Sequence, residues 1–464
     1  MTDPVNYAID KIVQFPRVYE SEAHIQKLRE AFQSQLNHLE AEVDARLNTG
    51  QKPNIRLSYP FGLAYQGFND LELVSQLGRI GHKALHGTAA LQNTDYAPRR
   101  KAPFKVGFVS HYFYKHSVLR VYGKGIAYFA EDEEFEIYVI HTGSIVDQDT
   151  HQLAEAVDHF VHETDPQKVL QQLKSWQLDA LIYTDVGMDP TSYFLAQHRI
   201  APIQGILSGH PVTSGIPHLD YFFSGKTGDD NIQAHYSEKT ILLKGGFSPL
   251  PPLEPAPEIS RSLFSQVTEH THIYFCPMLL FKVHPSFDHA LKAILTQDPQ
   301  AHIYFVDIPK DPITTRGLKK RFAKTVGTPL CDRIFFMPWM GRADFRSAVA
   351  SADVLLDTFC FGSGSTTIQI LELHQPLVTL PGEFYRARIA LTYYLRLKMQ
   401  EPVAQSVDDY VQKAVRIACD PDYRHRLRQE LAEKLPAFRK KRRSSIDHLK
   451  TELKDLFESY PAQG

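Results

Sequence analysis

Residues 357–382, DTFCFGSGSTTIQILELHQPLVTLPG, carry the most chemistry-bearing pattern in the chain. An apolar run ends in a loop of small residues and then enters a helix. Gly362 and Gly364 permit close backbone approach, and Ser365, Thr366 and Thr367 fall at the helix start. Free N–H groups, hydroxyls and the positive end of the helix dipole suit a phosphate, although the same residues also suit a plain helix cap on a tight turn. Lys282, in FCPMLLFKVHPSF at 275–287, follows another strand. From there a long cation reaches a diphosphate held by the 365–367 helix and neutralises it as it leaves, whereas an isolated lysine is by default a surface residue. In the N-terminal half, residues 110–119 (SHYFYKHSVL) bring His111 and His116 to a strand end, where a histidine can bind phosphate, orient an acceptor or take its proton. TDVGMDP and GHPVTSGIP deliver Asp185, Asp189, His210, Thr213 and Ser214 to the same rim. Taken singly, Asp189 before Pro190 suits a turn and Gly215 a backbone bend.

Positioning these loops requires strands that end together. From residue 105 onward, short apolar runs alternate with amphipathic stretches: 105–110, 135–141, 180–183, 205–207, 221–223 and 241–243, then 273–276, 302–306, 334–336, 354–356 and 377–380. Strand followed by helix, repeated, predicts parallel sheets covered on both faces, with helices at 285–296 and 314–326 in the second series. Five prolines within 248–257 predict a linker. The expected organisation is a helical N-terminal region at 1–100, a Rossmann-like lobe at 101–247, the linker at 248–258, and a second Rossmann-like lobe with C-terminal helices at 259–464. The first region rests on helix-period positions such as Ile25, Phe32, Leu36 and Leu39, then Leu73, Leu77 and Ile80. Two doubly wound halves place a ligand between them, at the carboxyl ends of the strands.

A chain of 464 residues exceeds one ordinary core, and its formal net charge of −2 asks for no polyanionic partner. Neither nucleic acid nor membrane is expected. The basic run at 439–443 is flanked by acids and reads as a solvated helix face. Cys276, Cys331, Cys360 and Cys419 lack zinc-site spacing and read as small buried hydrophobes in a reducing compartment. No apolar signal core is present in the sequence, so a cytoplasmic protein is expected.

Together these segments resemble the O-GlcNAc-transferase-like glycosyltransferases, and among them the SPINDLY-like and bacterial branch. The matching stretches are PFGLAYQGFNDLEL, KVGFVSHYFYKHSV, the run from TDVGMDP to HLDYF, HYSEK, FCPMLLFKVHPSFD, and LLDTFCFGSGSTT through TLPGEFYRARIA, spanning about residues 60–440. The resemblance implies a GT-B fold, inverting transfer from a nucleotide-diphosphate sugar to a protein side chain, and no metal or cofactor. UDP-GlcNAc, UDP-glucose and GDP-fucose are the donors it implies. It matches His116 to the cleft histidine, Lys282 to the diphosphate lysine, and Thr366 and Thr367 to the phosphate binders. Gly215 matches the glycine that lets a loop approach the donor, and Met337 and Pro338 begin the strand-end region that holds the base. Asp185 and His210 are further candidates for handling the acceptor proton. Two positions depart from the pattern. Met278 and Leu279 stand where relatives carry glutamine, and Gln369 stands nearest the usual ribose-binding carboxylate, with Glu372 one turn further as its candidate substitute. The alternatives are a glycan or small-molecule acceptor, or a binding protein that has lost catalysis.

Overall fold

The computed structural model describes residues 14–53, 58–87, 91, 94–99, 101–226, 228, 231–244, 255–309, 311–440 and 444–461. Most of the expected linker, the first thirteen residues and the side chains of the basic run at 439–443 lie outside these.

The first lobe is a seven-stranded sheet: β1 Phe104–Ser110, β2 Phe135–His141, β3 His159–His162, β4 Ala180–Tyr183, β5 Ile203–Leu207, β6 Tyr221–Gly225 and β7 Lys239–Leu243. Its order is β3-β2-β1-β4-β5-β6-β7 and every pairing is parallel. The second lobe holds β8 His272–Cys276, β9 Ala301–Val306, β10 Ile334–Met337, β11 Val354–Leu356 and β12 Leu377–Val378, in the parallel order β10-β9-β8-β11-β12. Side chains of successive strand residues point to opposite faces, so an apolar run buried on both sides feeds two cores. Val106 and Phe108 of β1, Ile137 and Val139 of β2, and Ala180 and Ile182 of β4 enter one cluster. Val109, Tyr138, Ile140, Leu181 and Tyr183 enter the other. The second lobe has one continuous core.

The N-terminal region is a pair of helices, Glu22–Asn48 and Leu71–His86. Ser21 caps the first through His24 N–H, and the buried stripe Ile25, Phe32, Leu36, Leu39 and Val43 faces inward. Phe32, Leu36 and Leu39 join Leu73, Leu77 and Ile80 in the same core as Val109 and Tyr183, so this region forms one cover of the first sheet. It also reaches the second lobe. Arg321 bonds the buried Asp288 at 2.9 and 2.8 Å and donates to the backbone carbonyl of Tyr19 at 2.8 Å. Asp70, itself buried, lies between Arg29 at 2.7 Å and Arg386 at 3.3 Å.

The chain end departs from the expected boundaries. Ile446, Leu449, Leu453 and Phe457 of the Ser444–Ser459 helix pack with Phe104 and Phe135, completing the other cover of the first lobe. Phe104 stacks on Phe457 at 4.8 Å. An amphipathic helix specifies that it must bury a face but not against which partner. The cysteines are all free, but their burial differs from expectation: Cys276 is buried, whereas Cys331 and Cys360 are half-buried and Cys419 is exposed. No described helix is long and apolar enough to cross a membrane.

Candidate functional site

The strand ends of both sheets open onto one cleft of about 850 Å³ between the lobes, a volume suited to a small-molecule ligand. From the second lobe come the helix start at 365–366 and Lys282; from the first, His116 and His210. Among the described residues four Lys and Arg side chains line it, Lys115, Arg120, Lys282 and Arg342, against a single carboxylate, Asp149. That balance favours an anionic ligand.

The 357–364 loop is held from beneath. Asp357, buried at the end of β11, accepts from Ser363 N–H at 2.7 Å and Thr379 Oγ1 at 2.8 Å. A side chain at Gly362 would crowd this anchor, because a Cβ there would lie 2.9 Å from Asp357 Oδ2. Cys360 adopts a left-handed backbone with φ of 63°, a conformation costly for a side chain and common in loops that carry function. The Ser365–Glu372 helix then starts at Gly364, which supplies no side-chain cap. Its leading N–H groups therefore meet no capping side chain, the condition under which a helix start can take an anion. Ser365 and Thr366 line the cleft. Thr367 does not: it is buried, with Oγ1 donating to the Ser363 carbonyl at 2.9 Å, and so anchors the loop.

Lys282 spans from β8 to this loop. Its Nζ donates to the Gly362 carbonyl at 2.9 Å and lies 4.5 Å from the Phe361 ring centroid. Burial pushes its pKa down to about 8, with Asp357 opposing the shift. The ammonium is thus cationic at neutral pH yet poorly hydrated, a state that gains much from an arriving anion.

Across the cleft, His116 caps the Ser117–Ala130 helix, its Nδ1 accepting from Val118 N–H at 3.2 Å. Its ring stacks on Tyr112 at 4.4 Å, and burial lowers its pKa to about 4. A neutral ring whose Nδ1 is an acceptor carries its proton on Nε2, so His116 presents an N–H donor. His210 is buried between Phe61, stacked at 5.0 Å, and Tyr59, edge-on at 5.3 Å. Burial holds it neutral, with a pKa of about 3.

The other expected residues take different places. Asp185 is buried beneath the rim, accepting from His111 N–H at 3.2 Å and Thr184 Oγ1 at 3.0 Å, and burial with neighbouring Asp189 raises its pKa. It ties two loops together rather than facing the cleft. Asp189 caps the Pro190–Ala196 helix. Thr213 and Ser214 bond the buried Glu238. Gly215 contacts the N-terminal region instead of the cleft, because a Cβ there would lie 2.3 Å from the Val74 backbone. The Met337 carbonyl accepts from Asp307 N–H at 2.7 Å, and Pro338 is exposed. The next residues, Trp339 and Met340, reach the cleft instead. Gln369 lines it, as do Met278 and Leu279, whereas Glu372 lies further along the helix outside the lining.

Sequence reasoning missed the aromatic floor. The Phe61–Tyr65 turn inserts from the N-terminal region, and Tyr65 stacks on Phe361 at 4.7 Å and meets Phe281 edge-on at 4.9 Å. The apolar PFGLAY run signalled burial but not its partners.

Two facing parallel-sheet lobes with a cationic cleft at their strand ends define a GT-B fold. Over 99% of both chains the fold matches that of Thermobaculum terrenum O-GlcNAc transferase, with a TM-score of 0.71 at 16% identity. Residues 259–445 match glycosyl transferase family 41. The UDP-glucose:protein N-beta-glucosyltransferase of Actinobacillus pleuropneumoniae is 28% identical over 344 residues, covering 72% of this chain and 53% of that protein. A probable UDP-N-acetylglucosamine–peptide N-acetylglucosaminyltransferase SPINDLY of Solanum lycopersicum is 22% identical over 71% of this chain and 36% of its own length. The chain is thus similar to O-GlcNAc-transferase-like glycosyltransferases, as its motifs implied, and it spans about half the length, or less, of these curated relatives.

Proposed function

We propose that the protein is an inverting glycosyltransferase that moves a sugar from a UDP-sugar to a protein side chain, asparagine amide or serine/threonine hydroxyl. The observation that carries this reading is the convergence of Lys282, the uncapped helix start at Ser365 and Thr366, and His116 on one cleft. The names of the relatives support a UDP-sugar donor and a protein acceptor. Inversion accords with the β-linkage named for the Actinobacillus enzyme, because UDP-glucose is an α-glycoside.

In the reaction the acceptor heteroatom attacks the anomeric carbon, the C1–O bond to the diphosphate breaks, negative charge grows on the leaving oxygen, and the acceptor's own proton passes to the departing diphosphate or to water. Lys282 and the helix-start N–H groups stabilise that charge. His116, with its proton on Nε2, donates to a donor or acceptor oxygen rather than acting as the base. A metal-independent mechanism is part of this reading: among the described residues Asp149 is the one carboxylate lining the cleft, and Lys282 supplies positive charge in place of a cation.

Nucleotide binding tests the donor reading. UDP should raise Tm more than GDP, by the same amount with and without EDTA; no shift with any nucleotide contradicts it. The depressed pKa of Lys282 predicts a pH dependence as well. The group is charged below about 8 and loses its proton above it, so kcat/KM should be flat near pH 7 and fall about tenfold per unit at high pH. Lys282→Arg, charged throughout, should remove that limb. An unchanged limb in the variant would assign it to another group.

A further inference from the structure

Away from the cleft, the N-terminal helix pair meets the first lobe at a cluster of histidines. His82 and His86 lie one turn apart on the Leu71–His86 helix, and His218 comes from the loop between β5 and β6. One ligand atom from each of these three lies within 4.8 Å of the other two. His218 is 5.0 Å from His82 and 5.8 Å from His86 by ring centroids, and His198 approaches His86 at 5.0 Å.

We propose that His82, His86 and His218 bind a divalent transition-metal ion of the zinc class, with His198 beside them as a fourth imidazole, and that this ion fastens the N-terminal helices to the first lobe. Imidazoles four residues apart on a helix present nitrogens on one face, and neutral imidazole suits zinc, nickel and copper. His218 is 2% exposed and its Nδ1 has no hydrogen-bond partner, an arrangement that is costly unless something occupies that nitrogen. His86 Nε2 lies 2.9 Å from the Gln197 carbonyl. That acceptor fixes a proton on Nε2 and leaves the lone pair on Nδ1, the tautomer control found behind metal-bound histidines. Metal–nitrogen bonds of about 2.1 Å in a tetrahedron place nitrogens about 3.4 Å apart, so binding draws the three together by at most about 1.4 Å.

The site is independent of the donor cleft and of the proposed reaction. To test it, the full chain is stripped with EDTA, reloaded with ZnCl2, desalted, and analysed for metal content and Tm. About one zinc per chain and a Tm several degrees above the EDTA-treated form are expected. His86→Gln and His218→Gln should each lose both the metal and the shift, while His38→Gln, exposed on the first helix, keeps both. Co2+ loading should give visible ligand-field absorption in the wild type and in His38→Gln, but not in His86→Gln or His218→Gln. Matching far-UV CD and Tm in EDTA establish that a variant is folded, and should His218→Gln misfold, the half-buried His86→Gln decides. The proposal is overturned if folded wild-type protein retains no zinc after desalting, or if folded His86→Gln or His218→Gln retains as much as the wild type; either result makes the cluster a packed set of imidazoles.

Discussion

Replacing Lys282 with alanine should lower turnover by about 100-fold or more, the cost of removing one preorganised charge from a developing oxyanion. The loss should fall mainly on kcat, because the charge on the leaving diphosphate grows as the sugar bond breaks and the interaction strengthens in the transition state. Lys282 also bonds the Gly362 carbonyl and faces the buried Asp357, so the variant loosens the phosphate loop and leaves a carboxyl without its cation. Lys282→Met fills more of the space and should lose turnover to a similar degree, which separates charge from packing. Lys282→Arg should retain part of the activity. Turnover within a few-fold of wild type in folded Lys282→Ala would remove the lysine from the mechanism.

The second large effect is on folding. Gly215→Val should cost at least about 3 kcal/mol, enough to unfold a marginal protein. Gly215 has φ of 68°, and an added Cβ would sit 2.3 Å from Val74 C and O and 2.5 Å from Ser75 N. Those are backbone atoms of a helix and cannot swing aside. From the other side, a Cβ on Gly78 would lie 2.0 Å from the Gly215 carbonyl oxygen, so two glycines meet where the helix crosses the loop. Urea unfolding followed by CD measures the cost. A midpoint close to that of wild type would show that loop and helix can part, and that the N-terminal region is not integral to the first lobe.

Gly215 also marks how far the sequence could be read. The family resemblance implied that Gly215 lets a loop approach the donor, but here the close approach is to another helix. Sequence identifies a residue needing room and not the neighbour that denies it. Strands were legible where burial on both faces makes continuous apolar runs, as in β1, β2 and β4. Missed was β3, His159–His162, an edge strand with two exposed histidines at its ends and no apolar signal. That Lys282 and the helix start at Ser365 and Thr366 reach one cleft was legible because the pattern is local: small residues before a helix, and a cation after a strand. Asp185 was misplaced and Thr367 turned inward because backbone path, not residue type, decides which side chain faces a cleft. His82 and His86 stand four apart in the sequence, a readable pair, but His218 joins them only through folding.

Sugar transfer itself tests the central claim most directly. Purified protein would be incubated with UDP-glucose or UDP-GlcNAc and with peptides bearing asparagine, serine and threonine, in the presence and absence of EDTA, and the products read by mass spectrometry. The account predicts that a peptide gains one sugar from a UDP donor, that EDTA leaves the rate unchanged, and that Lys282→Ala abolishes most of the product. UDP binding with neither transfer nor donor hydrolysis would contradict it and leave a nucleotide-sugar-binding protein in its place.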